Sequence, residues 1–411
     1  MKMSCKVLVA AQCFPPDEST TSVYLATIAE AFATDNDVLV ISATRNSSRY
    51  NADIPGRPEI IELRNWNPDK SALAKRTIAI CALAARMFVS VLKRARSSDI
   101  VFCVTSPFTL PYAVILAAKL RGAATVLLIY DLYPEALEAA GFIKSASLTA
   151  SLLRFANRLM FTALDNIIVI GRDVIPLLTR YPGVTASKIH FVPNWTLLPI
   201  GYRDFTPHNR FRASLNSKFI VGLSGNLGFT HSPSTVFEAA RLLKGEQGIH
   251  FILSGWGVGW KELNDLIRAE PLENVSMLDP VPQNELIEFL SAADVWVIPY
   301  RRNTAGVSIP SRLYNLLAVG RPIIVGTEPH SEAAIEFAQE AIGWIVPPED
   351  PVELARAIRV AANDRSATIC KGQQAAVVAL KYSQEAAMLR YREIIGELKT
   401  RKNGSKSRSI S

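Results

Sequence analysis

The sequence predicts an α/β protein built from two doubly wound domains, with a last helix that returns to the first of them. Three observations carry this. Short apolar runs alternate with helix-length segments along the chain, the pattern of βα units around parallel sheets. The alternation breaks between Pro193 and Asn216, where Pro193, Pro199, Gly201 and Pro207 leave no clear period, as expected of a linker. After Gly372 the pattern turns helical, and no strand follows the amphipathic segment Tyr382–Leu398. Both halves therefore read as Rossmann-like. Such sheets take ligands beyond the carboxyl ends of their strands, so the domains are expected to face a central cleft.

Taken in order, the first half offers strands at Lys6–Ala11, Val38–Ser42, Ile100–Val104, Thr125–Ile129, Ile167–Ile170 and Ile189–Val192. Helices are expected between them, including Ser22–Ala33, Ala74–Arg96 and Leu110–Arg121. After the break, strands are expected at Phe219–Leu223, Ile249–Leu253, Val275–Leu278, Val295–Ile298, Ile323–Val325 and Trp344–Val346. The expected division is a first domain over 1–198, a second over 199–381, a returning helix over 382–398 and a basic disordered tail over 399–411.

At 411 residues, the chain is long enough for two full cores, and 49% hydrophobic against 20% charged residues excludes a disordered class. Five scattered cysteines without a C-x-x-C pair argue against a disulfide scaffold or a zinc knuckle. The apolar core near Met1 is too short for a signal peptide, and no uncharged apolar run is long enough to cross a bilayer. A cytoplasmic, reducing compartment is the expectation. The net charge of +8 leaves nucleic acid, an anionic membrane or an anionic small substrate as partners. No nucleic-acid module accompanies the basic clusters, which disfavours the first.

The most informative stretch is Ser308-Ile-Pro-Ser-Arg-Leu-Tyr-Asn-Leu-Leu-Ala-Val-Gly-Arg-Pro322. Pro310 and Ser311 read as a helix opening with Ser as N-cap, and Gly320 as its stop. A helix N-terminus with Arg312 in its first turn is suited to a phosphate or diphosphate. A second candidate is Ser224-Gly-Asn-Leu-Gly-Phe-Thr-His231, directly after a first strand. Gly225 and Gly228 would let backbone approach a ligand, and Asn226 and His231 would add side-chain donors; a plain turn is the alternative. Third, the run Leu128–Glu135 delivers Asp131 and Glu135 to a strand end. There they could orient an acceptor hydroxyl or take its proton, or merely cap a helix.

Asp35-Asn-Asp37 has the D-x-D form of metal-dependent sugar transferases but sits between a helix and a strand, at the wrong end, and reads as a turn. Lys75–Arg96 carries Lys75, Arg76, Arg86, Lys93, Arg94 and Arg96 without an acid, around Ile78, Ile80, Leu83, Met87, Phe88, Val91 and Leu92. It could lie on an anionic bilayer, or be an ordinary core helix with a basic outer face.

With these pieces in order, the chain resembles retaining GT-B glycosyltransferases of glycosyltransferase family four. The resemblance runs through Phe14-Pro-Pro16, Ser106-Pro107, Asp131-Leu-Tyr-Pro-Glu135, Val192-Pro-Asn194, Ser224–Gly228, Ser254-Gly-Trp-Gly257, Ala293-Asp294 with Ile298-Pro299, and Pro310–Arg312 with Ala318–Pro322. It is most similar to bacterial polysaccharide-assembly enzymes, including fucosyl and N-acetylfucosaminyl transferases, in which Pro-Ser-Lys usually stands where this chain has Pro-Ser-Arg312.

The resemblance implies a metal-independent, hexosyl-type transfer with retention, no cofactor, and a nucleotide diphosphate sugar as donor. Arg312 and Asp131 would be catalytic. Donor binding would fall to Gly225, Asn226, Gly228, His231, Gly255, Val281, Ser311 and Asn315, and the acceptor side to Ser19, Thr20, Thr21 and Glu135. The acceptor would be polyprenyl-diphosphate-linked, reached at the inner face of the bacterial plasma membrane through Lys75–Arg96. Two departures stand out: Val307 and Asn315 occupy the positions of a common glutamate pair, and Ser19–Ser22 replaces common glycines. A GT-B nucleotide-sugar epimerase and a catalytically degenerate GT-B scaffold remain as alternatives.

Overall fold

The computed structural model describes residues 5–50, 56–66, 73–204, 208–215, 218–307, 309 and 311–408, with side chains from 75 in the second helix and up to 402 in the last. Ser308, Pro310, Pro207 and Asn216, on which parts of the sequence reading fall, lie outside the described residues.

The chain divides into two compact units. The first holds 1–134, 145–193 and 385–411; the second holds 135–144 and 194–384. The division thus falls at Pro193/Asn194 and Gln384/Glu385, where the sequence suggested 198/199 and 381/382. The short segment Glu135–Lys144 groups with the second unit, which no composition change announces.

In chain order the elements up to the first division are β1 (Lys6–Ala11), α1 (Thr20–Ala33), β2 (Asp37–Ser42), β3 (Glu59–Glu62), α2 (Leu73–Arg94), β4 (Ile100–Val104), α3 (Leu110–Leu120), β5 (Ala124–Ile129), α4 (Glu135–Ala139), α5 (Leu148–Ala163), β6 (Asn166–Val169), α6 (Ile175–Leu178) and β7 (Ile189–Phe191). The seven strands form one parallel sheet in the order β3-β2-β1-β4-β5-β6-β7. Both faces of such a sheet must be covered, and β1, β4 and β5 are accordingly apolar almost throughout. Leu8, Ala10, Val101 and Cys103 pack with α2, α3 and α5 on one face. The alternate residue Phe102 turns to the other face, against Phe32 of α1. β3 was missed in the sequence because it is a short edge strand, Glu-Ile-Ile-Glu, with no buried position.

The second unit continues with β8 (Phe219–Asn226), α7 (Pro233–Leu242), β9 (Ile249–Trp256), α8 (Val258–Ala269), β10 (Val275–Leu278), α9 (Leu286–Leu290), β11 (Val295–Pro299), α10 (Arg312–Ala318), β12 (Ile323–Gly326), α11 (Glu332–Glu340), β13 (Gly343–Val346), α12 (Pro351–Asn363) and α13 (Arg365–Ala379). Its six-stranded parallel sheet runs β10-β9-β8-β11-β12-β13. Trp296 fills the centre of one face, and Gly222 on the next strand is small because a Cβ there would overlap the indole ring. At the amino-terminal end of the sheet, Arg212 and Asp294 form a buried ion pair at 2.9 Å. The same Asp294 carboxylate accepts the Ile220 N–H at 2.7 Å, and Arg212 also donates to the Ala292 carbonyl at 2.8 Å, so neither charge is stranded.

The last helix, α14 (Gln384–Arg408), packs its inner side in the first unit from Glu385 onward. Tyr391 closes an aromatic trio with Phe32 and Phe102, centroids 6.4 and 6.3 Å away in edge-on geometry. Arg392 pairs with Asp35 at 2.6 Å. The tail expected to be disordered from Lys399 is instead the end of this helix as far as Arg408. Lys402 holds it there by donating to the carbonyls of Ser97, Asp99 and Gly122 at 2.7 to 3.1 Å. Asp35 thus has a cation partner, and Asp37 has another in Lys6 at 3.3 Å, which suits the turn reading of that D-x-D run.

α2 corrects a second expectation. Leu83, Met87 and Val91 are core residues, Phe88 and Leu92 pack beside them, and of the seven apolar side chains named above only Ile78 is exposed. The apolar side of Lys75–Arg96 covers the sheet and is not available to a bilayer, while its basic side faces out. Replacing Tyr391 with Ala should cost ~3 kcal/mol by leaving a cavity in a buried aromatic cluster. A melting temperature unchanged from wild type would show that the last helix contributes nothing to the first unit's core.

Candidate functional site

In the second unit the strand order reverses between β8 and β11, and the loops after these strands line a crevice where ligands of doubly wound sheets bind. β8 ends in Ser224-Gly225-Asn226 and pairs in register with β9, so that Gly225 faces Gly255. A Cβ on Gly255 would overlap the Gly225 carbonyl oxygen. Gly257, at φ +105°, lies so close to Asn226 Oδ1 and the Leu227 carbonyl that a Cβ there would overlap both. Gly225 itself, at φ +86°, turns the chain out of the strand in a conformation that favours glycine.

Arg312, the first residue of α10, reaches back across this turn. Its Nη1 donates to the Ser224 carbonyl at 2.6 Å and its Nη2 to the Asn226 carbonyl. These contacts occupy two of the five guanidinium N–H donors. The side chain is half covered by surface, yet the atoms packed around the guanidinium push its pKa down to about 10, with Tyr300 acting in the opposite direction. Arg312 therefore remains a cation at neutral pH, aimed at the glycine turn.

His231 lies behind it. The ring stacks on Tyr300 at 5.2 Å, Nδ1 shares a hydrogen bond with the Thr230 hydroxyl at 3.3 Å, and the backbone carbonyl accepts from Arg301 Nε at 2.7 Å. Burial and then the Arg312 cation push its pKa well below the usual 6.5; the Gly228 backbone acts the other way, and Arg301 adds a smaller downward push. The imidazole is neutral. Arg301, which also pairs with Glu262 at 3.2 Å, and Tyr300 were not singled out in the sequence. Their place directly after β11, at the switch point, is the signal that could have found them.

One expectation for this unit needs correction, and two donor-binding candidates make bonds within the fold. Ser311 does not cap α10: its backbone is already helical (φ −59°, ψ −26°) and its hydroxyl makes no capping bond. The N–H of Val281 is engaged within the fold, donating to Ser254 Oγ at 3.2 Å, while that hydroxyl donates to the Asp279 carbonyl. Asn315, a donor-binding candidate, uses Oδ1 to accept from Leu197 N at 3.1 Å and Thr196 Oγ1 at 3.4 Å, pinning the segment that enters the unit. Both lone pairs of that oxygen are thus occupied. Gly225, Asn226, Gly255 and Arg312 are brought together; Gly228 and His231 follow on the same turn.

In the first unit, Ser19 is the N-cap of α1, accepting from Ser22 N at 3.4 Å, and its own N–H donates to Asp17 at 2.9 Å. Thr20 and Thr21 form the first turn of that helix. Asp131 follows β5; its N–H and that of Tyr130 donate to Thr105 Oγ1 at 3.3 and 3.1 Å, tying the end of β5 to the end of β4. Burial and then the Asp131 carboxylate push the Tyr133 phenol up. Glu135 opens α4 and groups with the second unit. A cavity of about 570 Å³ lies at the carboxyl ends of β1, β2 and β3, bordered among others by Gln12, Asp17, Arg45, Glu62, Arg64 and Asn65. Asp17 borders it, but Ser19, Thr20, Thr21 and Asp131 do not.

Comparison with known proteins shows what the chain is similar to. Residues 206–375 match the model of the family "Glycosyl transferases group 1". The chain is 29% identical over 298 residues to WbjE of Pseudomonas aeruginosa, named as a probable glycosyltransferase, covering 71% of this chain and 72% of that one. It is 27% identical over 273 residues to WcaI of Escherichia coli K12, named as a colanic acid biosynthesis glycosyl transferase, covering 64% and 66%. Among solved structures, Anabaena HepE in complex with UDP-glucose superposes with a TM-score of 0.69 at 16% identity, over 95% of this chain and 99% of that one. Sucrose-phosphate synthase from Thermosynechococcus elongatus gives 0.70 at 16%, over 96% and 99%. At such identities the likeness establishes the fold, two Rossmann-like units of the GT-B type.

The neutral His231 has a measurable consequence. Its folded pKa is depressed, so below about pH 6.5 the unfolded chain takes up a proton that the folded chain refuses, and stability falls with falling pH by up to ~1.4 kcal/mol per unit from this group. His231→Gln should remove that share, making the stability–pH curve between pH 6.5 and 5 shallower than that of wild type. Superimposable curves would mean that His231 is protonated in the fold.

Proposed function

We propose that the protein is a retaining glycosyltransferase that moves a hexosyl group from a nucleoside diphosphate sugar, held by the second unit, to a polyprenyl-diphosphate-linked saccharide. The observation that carries this is the Arg312 cation fixed over the Ser224–Asn226 turn at the β8/β11 switch point. The reaction expels a nucleoside diphosphate, so charge develops on the leaving oxygen, and a preorganised cation close to it stabilises the transition state. Retention without a carboxylate nucleophile follows from front-face attack. The bond from the anomeric carbon to the diphosphate oxygen breaks as the acceptor oxygen bonds to the same face of that carbon, and the leaving phosphate takes the acceptor proton. Asp131 would orient the acceptor hydroxyl. The transfer needs no metal and no cofactor besides its donor.

The UDP-glucose complex of the Anabaena structure supports a nucleotide-sugar donor, and the colanic acid relative supports a role in polysaccharide biosynthesis; the expected place of action is the cytoplasmic side of a bacterial membrane. Arg45, Arg64, Gln12 and Asn65 around the first unit's cavity offer the mixture of donors that a saccharide or diphosphate requires. A degenerate binding scaffold is the second reading, favoured by the engagement of Asn315 within the fold. Arg312→Ala should lower sugar transfer by about 10²–10³-fold with the melting temperature retained. Full transfer by that variant would overturn the leaving-group role. Neither transfer nor donor hydrolysis by the wild-type protein, with donors of every base supplied, would leave the scaffold. Release without acceptor of a sugar epimeric to that of the donor would point to an epimerase.

A further inference from the structure

The greasiest stripe of α5 faces outward. Leu148, Leu152, Phe155 and Leu159 recur at helical spacing on one side of the helix and are 75, 59, 59 and 60% exposed. Periodicity alone would turn that stripe to the core. The rotation of the helix is fixed from its other side, where Asn157 is buried. Asn157 Nδ2 donates to the Tyr133 carbonyl at 2.5 Å and to the Tyr181 hydroxyl at 3.2 Å, and Oδ1 accepts from Tyr112 at 2.7 Å. Ala150, Met160 and Phe161 pack beside it. Turning the leucines inward would leave this amide network unpaired.

α5, α3 and α2 cover the same face of the first unit's sheet, as neighbours in that order. Their outer sides add Leu116 and Leu120 from α3, and Ile78 and Val89 from α2, all exposed. The three helices contain eight basic residues and no acidic one: Lys75, Arg76, Arg86, Lys93 and Arg94 on α2, Lys119 on α3, and Arg154 and Arg158 on α5; of these, Lys119 is paired with Asp165 at 2.7 Å, which leaves seven to carry the positive charge of the layer. Among the described residues, no helix is long and apolar enough to cross a membrane.

We infer that this layer is a docking surface for an anionic bilayer. The exposed leucines and Phe155 of α5 enter the acyl boundary, and the basic residues of the three helices meet the phosphate headgroups. Charge decides the occupant. A second copy of the chain, placed on this surface by a two-fold axis, would bring two predominantly cationic faces together, whereas an anionic lipid surface satisfies cations and apolar side chains at once. The expected membrane contact of the sequence reading thus moves from the apolar side of α2, which is core, to α5 and the outer edges of its neighbours.

The test is co-sedimentation of the full chain with vesicles of phosphatidylcholine alone, or mixed with an equal amount of phosphatidylglycerol. Wild type should pellet with the mixed vesicles, stay soluble with phosphatidylcholine, and lose binding as salt rises. The double variant Leu152→Glu/Phe155→Glu, at exposed positions, should keep the wild-type melting temperature and bind at least about tenfold more weakly. Failure of wild type to pellet with mixed vesicles would overturn the proposal, as would unchanged binding by the variant. So would a dimer in solution that the variant dissolves while vesicle binding is absent. No nucleotide or acceptor is present, so these outcomes are independent of the sugar-transfer reading.

Discussion

Gly255 has no room for a side chain, and the geometry of the candidate donor site depends on that. Strands of a parallel sheet normally leave room for a Cβ at every position, but at Gly255 the Gly225 carbonyl takes that room, and at Gly257 Asn226 and the Leu227 carbonyl take it. The carbonyls of Ser224 and Asn226 are thereby turned where Arg312 can bind both. The guanidinium is held by carbonyl dipoles rather than by a carboxylate. That distinction matters chemically. An Arg–carboxylate pair is already neutralised, whereas an Arg resting on two carbonyls keeps its full positive charge for an incoming anion.

The surroundings are consistent with this. His231, stacked on Tyr300, is kept neutral by burial and by the Arg312 and Arg301 cations. A charged imidazole beside Arg312 would raise its own cost through like-charge repulsion, so one cation dominates the turn. At the opposite end of the same sheet, Arg212 and Asp294 are fully paired and hydrogen-bonded. The two arginines show the same residue type in two electrostatic roles, one closed by its partner carboxylate and one left able to bind.

All twelve strands read from the sequence are present, most of them because strands buried on both faces are written as uninterrupted apolar runs. The edge strand β3, half polar, escaped that signal. The glycines at 225 and 255 and Arg312 were legible as candidates, since glycine and arginine after strands have few structural uses. Their mutual contacts were not, because they depend on which loops the strand order brings together. Asn315 and Val281 show the limit of residue-by-residue resemblance. Each stands at a suggestive position, and one hydrogen-bonding group of each, Asn315 Oδ1 and the Val281 N–H, is engaged by Leu197 and Ser254, partners that sequence reading did not supply. The outward stripe of α5 was hidden for a related reason. Apolar spacing reveals that a helix has a greasy side, but a single buried Asn157 decided which side turned inward.

The return of the last helix makes the second unit an insertion into the first, in chain order. Phe32, Phe102 and Tyr391 meet in one aromatic cluster although nearly the whole chain separates the first from the last. During synthesis the second unit has all its strands available while the first still lacks Tyr391 and the tether at Lys402. The apolar groove between α1 and Phe102 must therefore wait, uncovered, until an entire neighbouring domain has left the ribosome. The nascent first unit is the part of this protein for which a chaperone has most time to act.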